Sequence, residues 1–230
     1  MVRKGEPWER PAAGPPEATV SGGDAELAAA VRRHLTGPGP GSGRVRLRFD
    51  PAPDSDLARA LGLGWGPAER VPGSLELPID AMTVTVDGAE QFAVNMVVLG
   101  SPPDRLGALT PRQGVTVTID GRPIYDAKAT TVLVANGQYL RGADAVPRGH
   151  PGDGRLEVQA YAPSVGEARA MRDRIATGTH VPHPHIAQAT GRRVEIELTR
   201  PARLELDGVE RGKASLVVVE VVPEAFSLVI

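Results

Sequence analysis

Lys128–Ala160 reads KATTVLVANGQYLRGADAVPRGHPGDGRLEVQA, and how this stretch divides decides the fold. Ala129–Ala135 is an apolar run that includes the β-branched residues Thr131, Val132 and Val134. It is too short for a typical helix and reads as a strand. Asn136-Gly137 stops it, because Gly takes positive φ without steric cost and Asn comes closest among the other residues. A Gly-containing loop with Pro147 and Pro151 follows. Asp153-Gly154 then turns the chain into a second strand, Leu156–Ala160.

The same period-two signal extends in both directions. Leu75–Ile79, Thr83–Val86, Gln91–Leu99, Val115–Ile119, Val194–Leu198, Arg203–Leu206, Ser215–Val222 and the last short run, Phe226–Ile230, all read as strands. Pro201 and Pro223 are expected to interrupt them. Asp87-Gly88, Asp120-Gly121 and Asp207-Gly208 supply further tight-turn signals. Many short strands with such turns indicate an antiparallel sandwich or barrel. One helix is expected among them, Val165–Ala176, capped by Ser164 and ended by Gly178.

Upstream of about residue 73 the pattern changes. Residues 1–17 are Pro-rich, charged and aperiodic, an extended or disordered tail. Ala18–Val20 reads as a strand stub, Ser21–Asp24 as a turn and Ala25–Leu35 as a helix. Thr36–Gly43, TGPGPGSG, breaks the chain. Val45–Phe49 is a half-buried strand, and Asp56 is expected to cap a helix at Leu57–Leu61. Strand, loop, helix, strand, loop, helix is an α/β pattern. The expected fold is therefore α+β and mostly β. A disordered tail (1–17) precedes a small α/β, Rossmann-like remnant (18–72), which joins a two-sheet antiparallel β-sandwich (73–230).

Composition narrows the function. Hydrophobic residues make up 41% of the 230, enough for a core, but aromatics only 3%, so that core must be aliphatic. Gly and Pro together form about a fifth of the chain, well above ordinary usage. A net charge of −2 lacks the basic footprint of a nucleic-acid binder. There is no cysteine, hence no disulfide framework and no thiolate metal site. No apolar core of about 7–15 residues marks a signal peptide, and no window approaches the about 18 apolar residues of a membrane span. A soluble, cytoplasmic protein is expected.

Order and spacing of motifs add a resemblance. The run V-A-N-G-x-Y at Val134–Tyr139, Pro147, and D-G-x-L-x-V at Asp153–Val158 are similar to the C-terminal domain of the diacylglycerol kinase and sphingosine kinase superfamily of lipid kinases. Pro78-Ile79-Asp80, Phe92, Asn95 and Gly100 also fall where that family has an I-D strand, an F-x-x-N strand and a Gly. The resemblance covers roughly residues 20–230. It implies transfer of the γ-phosphate of ATP, with Mg²⁺, to a lipid hydroxyl.

The resemblance also assigns site residues. The family's first nucleotide loop, G-G-D-G-T, stands here as Gly22-Gly23-Asp24-Ala25-Glu26. Its second, G-T-G-N-D, maps onto Ala52-Pro53-Asp54-Ser55-Asp56. Gly22, Gly23, Asp24 and Asp56 are thus the phosphate-binding candidates. Such loops work because glycines let backbone N–H groups approach phosphate, and a helix N-terminus adds partial positive charge. Here Glu26 places a carboxylate where phosphate would approach, and Pro53 removes a donor. Two anions about 4 Å apart repel by roughly 4 kcal/mol at an effective dielectric of 20; Mg²⁺ would reverse that sign. The family also has about two more strand-helix units before its first glycine loop. Its acidic general base lies in A-P-E-A or A-P-D-A, which here is Val146-Pro147-Arg148-Gly149. Arg148 cannot accept a proton, so no residue is assigned as catalytic. Asn95, Asn136 and Arg148 remain candidate cleft residues, although Asn95 reads more simply as a buried amide bonded to a neighbouring strand.

His180, His183 and His185 could ligate zinc by spacing, but the resemblance offers no metal role there and none is assigned. G-x-S-x-G and the Walker A pattern are absent, and no G-x-G-x-x-G opens a helix. The expectation is a lipid kinase relative, degenerate and inactive alone. The alternatives are a non-catalytic binder of a lipid or other hydrophobic small molecule, a subunit completed by a homo- or hetero-oligomeric partner, and a chain whose true start lies upstream.

Overall fold

The computed structural model describes residues 8–36, 44–63 and 75–230. In chain order the elements are β1 (Arg10–Pro11), β2 (Ala18–Gly22), α1 (Asp24–Thr36), β3 (Val45–Pro51), α2 (Asp56–Ala60), β4 (Leu75–Val86), β5 (Ala89–Ala93) and β6 (Met96–Gly100). A 3₁₀ turn (Pro103–Arg105) precedes β7 (Gln113–Ile119), β8 (Arg122–Ala129), β9 (Thr131–Ala135) and β10 (Leu156–Tyr161). The chain ends with α3 (Ala168–Ile175), β11 (Ile186–Gly191), β12 (Arg193–Leu206) and β13 (Val209–Val229). Among the described residues no helix is long and apolar enough to cross a membrane.

The fold is α+β and mostly β, and its strands join in one hydrogen-bonded network. Two layers arise because β12 changes neighbours along its length. Val194–Leu198 pair with β7, whereas Leu204–Leu206 pair with β6. One layer runs β5-β4-β13-β12-β7-β8; the other continues from β12 through β6, β9 and β10 to β11. Val84, Val117, Ile196 and Val217 from the first meet Val97, Val132, Val134 and Val158 from the second in one buried cluster. Alternation with period two puts these side chains on the inner faces, and each contributes roughly 1.5–3 kcal/mol by leaving water.

Three expected Asp-Gly turns form two-residue hairpins with positive φ at both residues: Asp87-Gly88, Asp120-Gly121 and Asp207-Gly208. Asp153-Gly154 differs, leading from the loop into β10 rather than joining two paired strands. Pro201 and Pro223 do not end strands as expected. Each sits at a shift of register within a longer strand, between Glu197 and Ala202 in β12 and between Val222 and Phe226 in β13. A proline that lacks an N–H is tolerated where the ladder is already broken by a bulge. The expected single strand Gln91–Leu99 is two strands with a bend at 94–95. Strands β8 and β11 were not expected. β8 (RPIYDAKA) is an almost fully exposed edge strand, and β11, which among the described residues pairs with β10 alone, offers the inter-layer core only the small side chains Ala187 and Ala189.

The α/β part is a second core. β2 pairs in parallel with β3, and β3 in parallel with Phe226–Leu228 of β13. Leu27 and Val31 of α1, Leu47 of β3, Leu57 of α2, Ile79 of β4 and Phe226 pack together here. The expected boundary near residue 72 lies outside the described residues. Residues 8–17, expected to be an extended or disordered tail, are held against the fold: β1 pairs with β4, and Trp8 Nε1 donates to the Pro78 carbonyl at 3.1 Å. A third cluster lies on the outer face of β6, β9 and β10 under α3 and residues 140–146. Helix α3 starts at Ala168, not Val165. The first turn is taken up by a closed loop in which the Ser164 carbonyl accepts from the N–H groups of Glu167 and Ala168.

Candidate functional site

A polar cleft of about 520 Å³ opens where α1, α2, the 141–142 turn and the β12–β13 hairpin meet. Gly23, Asp24, Glu26, Asp54, Asp56, Arg59, Arg141 and Asp207 are among its lining residues. Its walls are tied together by carboxylates that accept backbone N–H groups from other segments.

Asp24 stands at the N-terminal end of α1, just after β2. Gly22 has φ +128, and a Cβ there would lie 2.9 Å from Glu26 Cγ, so the turn demands glycine. The Asp24 carboxylate crosses to α2, where it accepts from Ser55 Oγ at 2.5 Å and from the Leu57 N–H at 3.0 Å. Ser55, not Asp56, caps α2, with its Oγ accepting the Ala58 N–H at 3.1 Å. A serine fits because the N-cap needs an extended backbone and a short side chain, and Asp56 is already the first helical residue. That position frees the Asp56 carboxylate to reach the 141–142 turn, where the N–H groups of Arg141 and Gly142 donate to it. The turn is a small hairpin closed by paired bonds between Leu140 and Ala143. Arg141 adopts φ +48 there, a conformation that costs a non-glycine residue about 1 kcal/mol or more and needs support from its surroundings.

Asp207 closes the other side. Its carboxylate accepts from the N–H groups of Val94, Asn95 and Met96 at 2.8–2.9 Å, across the β5–β6 bend. The Arg141 guanidinium binds the buried Glu205 at 2.9 Å, and Arg203 lies 3.2 Å from the same carboxylate. Arg59 lies over the Tyr139 ring, 5.8 Å from its centroid.

These carboxyl groups hold their protons more tightly than usual. Burial pushes Asp24 up to about 6, against the pull of its Ser55 and Leu57 bonds. Burial and the neighbouring Asp24 push Asp207 up to about 7, although three backbone N–H groups oppose this. Burial also raises Asp56.

The structure brings Gly23, Asp24 and Asp56 together in the cleft, with Gly22 shaping the turn beneath them. Asn95 and Asn136 lie behind it as buried amides. Asn95 Nδ2 donates to the Tyr139 carbonyl, and Asn136 Nδ2 donates to the carbonyls of Asp80 and Val94. Arg148 is exposed, does not line the cleft and neighbours Glu157. Burial and Asp153 push Glu157 up to about 7, while Arg148 and Arg155 pull it down. His180 is buried, its Nε2 3.0 Å from the Ala145 carbonyl, and His185 Nδ1 lies 2.6 Å from Glu167. Among the described residues no group of three or more His, Asp or Glu is placed to hold a metal.

The residues present do not fit a triphosphate. The amide that a phosphate would seek, the Gly23 N–H, donates to Glu26 Oε2 at 2.8 Å. Pro53 has no N–H to offer, and five carboxylates line the space against two arginines. Sequence reasoning missed Asp207, Arg141 and Glu205. Asp207-Gly208 was legible only as a turn, and Arg141-Gly142 only as irregular loop.

The family model described as the YegS C-terminal NAD kinase beta sandwich-like domain matches residues 104–230. A solved diacylglycerol kinase structure from Bacillus anthracis str. Sterne is similar with a TM-score of 0.68 and 21% identity, over 92% of this chain and 75% of that one. Another solved diacylglycerol kinase-like structure from that organism gives a TM-score of 0.71 and 20% identity, with the same coverage. No curated protein matched. The chain belongs to the YegS C-terminal NAD kinase beta sandwich-like domain family.

Proposed function

We propose that this chain is a degenerate member of the lipid kinase superfamily that, by itself, does not transfer phosphate from ATP to a lipid hydroxyl. The observation that carries this reading is the bond from the Gly23 N–H to Glu26. An anion already occupies the end of α1 where the family's loop would receive phosphate, and it is covalently part of the helix. Asp24, Asp56 and Asp207 serve as ties between segments, each accepting N–H groups that would otherwise be orphaned. Arg148, at the position of the family's acidic base, is exposed and cannot take a proton.

The cleft in this reading is a polar binding site, which argues against a lipid tail as its occupant and leaves small polar ligands. A cytoplasmic location is part of the proposal. The test is calorimetry with ATP·Mg²⁺ on the 230-residue chain, followed by turnover assays with diacylglycerol and sphingoid acceptors. We expect neither millimolar binding nor turnover. Turnover abolished by Asp24→Ala overturns the proposal.

A second reading has its own observation. Among the described residues β2 pairs with β3 on one side only, leaving its other edge open to a further strand. A partner chain that supplies strands there would complete the α/β layer. Native mass spectrometry of the purified protein checks this: a monomer under all conditions removes it.

A further inference from the structure

A second hollow, about 400 Å³, runs along α1 beside the cleft and shares Ala25 with it. Its floor is the helix face at positions 25, 28, 29, 32 and 36, whose spacing keeps them in line. Alanines keep that floor low, and Gln91 and Phe92 of β5 form the facing wall. Three arginines rim it: Arg32 and Arg33 from the helix and Arg211 from β13.

The charge here is opposite to that of the cleft, and it is uncompensated. None of these three arginines takes part in an ion pair among the described residues, whereas Arg10, Arg44, Arg141, Arg193 and Arg203 all do. The carboxylates close in sequence are engaged or directed elsewhere. Glu210 binds Arg203 at 3.0 Å, Glu26 binds the Gly23 N–H, and Glu90 does not line the hollow. The last-turn hydroxyl of Thr36 donates to the Arg32 carbonyl, so it does not compete for the guanidinium groups. Guanidinium forks suit phosphate oxygens, and several together suit a dianion. The apolar strip of Ala28, Ala29 and Phe92 lies on the same floor and wall.

We propose that this groove is a binding site for a phosphate monoester, with the arginines on the phosphate and the Ala28–Ala29–Phe92 strip against the first carbons of the esterified group. The site does not depend on whether the neighbouring cleft transfers phosphate.

The test uses the whole 230-residue protein and calorimetry with two soluble probes, dihexanoyl phosphatidic acid and inorganic phosphate. A flotation assay compares phosphatidylcholine vesicles with and without phosphatidic acid. Three variants accompany the wild type: Arg32→Gln/Arg211→Gln, which removes charge, Ala29→Leu, which fills the floor of the groove, and Arg122→Gln on the exposed β8 as a charge control. Circular dichroism and thermal unfolding establish that each is folded. We expect the short-chain ester to bind the wild type and the Arg122 variant alike. Loss of two charge-assisted contacts should weaken it by about tenfold or more, and Ala29→Leu should weaken it without changing charge. Flotation with phosphatidic acid vesicles alone, lost in the double variant, assigns the phosphate to a membrane lipid. Equal affinity for inorganic phosphate and the ester keeps the anion site and assigns it to free phosphate. Absence of binding by every probe, or undiminished binding by the folded double variant, overturns the proposal.

Discussion

The sandwich core and the cleft are held together by different physics. Between the two layers, aliphatic side chains such as Val97, Val134 and Val217 meet in one buried cluster. Around the cleft, segments far apart in the chain are tied by carboxylates that accept N–H groups: Asp24 to Leu57, Asp56 to Gly142, Asp207 to Val94. A core of the first kind tolerates exchange of one aliphatic for another of similar volume. An arrangement of the second kind depends on specific atoms, and its carboxylates are costly to keep charged where burial has raised their pKa.

Substitution should expose this contrast most strongly in the apolar regions. Ile196 is fully buried on β12 between the two layers. Ile196→Ala is expected to lower stability by about 2–5 kcal/mol in denaturant unfolding. A loss below about 1 kcal/mol would mean loose packing and would weaken the contrast. Asp24→Ala comes next. It strips acceptors from Ser55 and the Leu57 N–H, for an expected loss of about 1–3 kcal/mol. Asp24→Asn should cost less, because it keeps an acceptor and removes a charge that burial disfavours.

The pH dependence sharpens the point. Asp24, Asp207 and Glu157 have folded-state pKa values raised to about 6, 7 and 7. Between the unfolded carboxylate range and those values the folded state binds more protons at these groups, so they lower stability as pH rises through that window, while His180, whose pKa burial lowers, works in the opposite direction. Thermal unfolding from about pH 5 to about pH 8 should show a net decline of about 1–2 kcal/mol, shallower in Asp24→Asn. A flat or rising profile would show that the ties carry charge without penalty. The smallest effect concerns the anion already in place. Ala25→Gly/Glu26→Thr frees the Gly23 N–H, and a gain of about tenfold should bring into the millimolar range, as read by calorimetry, an ATP·Mg²⁺ binding that the unaltered chain does not show there. An unchanged affinity would locate the obstacle elsewhere in the cleft.

How much of this was legible beforehand follows the same division. Alternating apolar residues and Asp-Gly turns are local signals, and they marked β7, β10 and three tight turns, though they split the single strand β4 into Leu75–Ile79 and Thr83–Val86. Edge strand β8 was hidden because only its last residue, Ala129, is buried. Prolines misled at Pro201 and Pro223, because a proline can sit at a bulge inside a strand as well as at its end. In the site, Gly22–Asp24 was readable as a strand-to-helix loop. The role of Asp207 was not, since its partners at 94–96 lie more than a hundred residues earlier in the chain. Arg141 gave no warning either: its turn takes an arginine at positive φ where local rules favour Asn, Asp or Gly.

Strand β13 carries a last consequence. Its first half lines the sandwich through Val217 and Val219, and its end enters the α/β layer through Phe226 and Leu228. Melting one core therefore frays the strand that the other relies on. The two should give a single calorimetric transition rather than two. A fragment cut before β4 would keep all of β13 yet leave Phe226 without the α1 and β3 side chains it packs on, so expressing the sandwich alone should yield a sticky, poorly cooperative product.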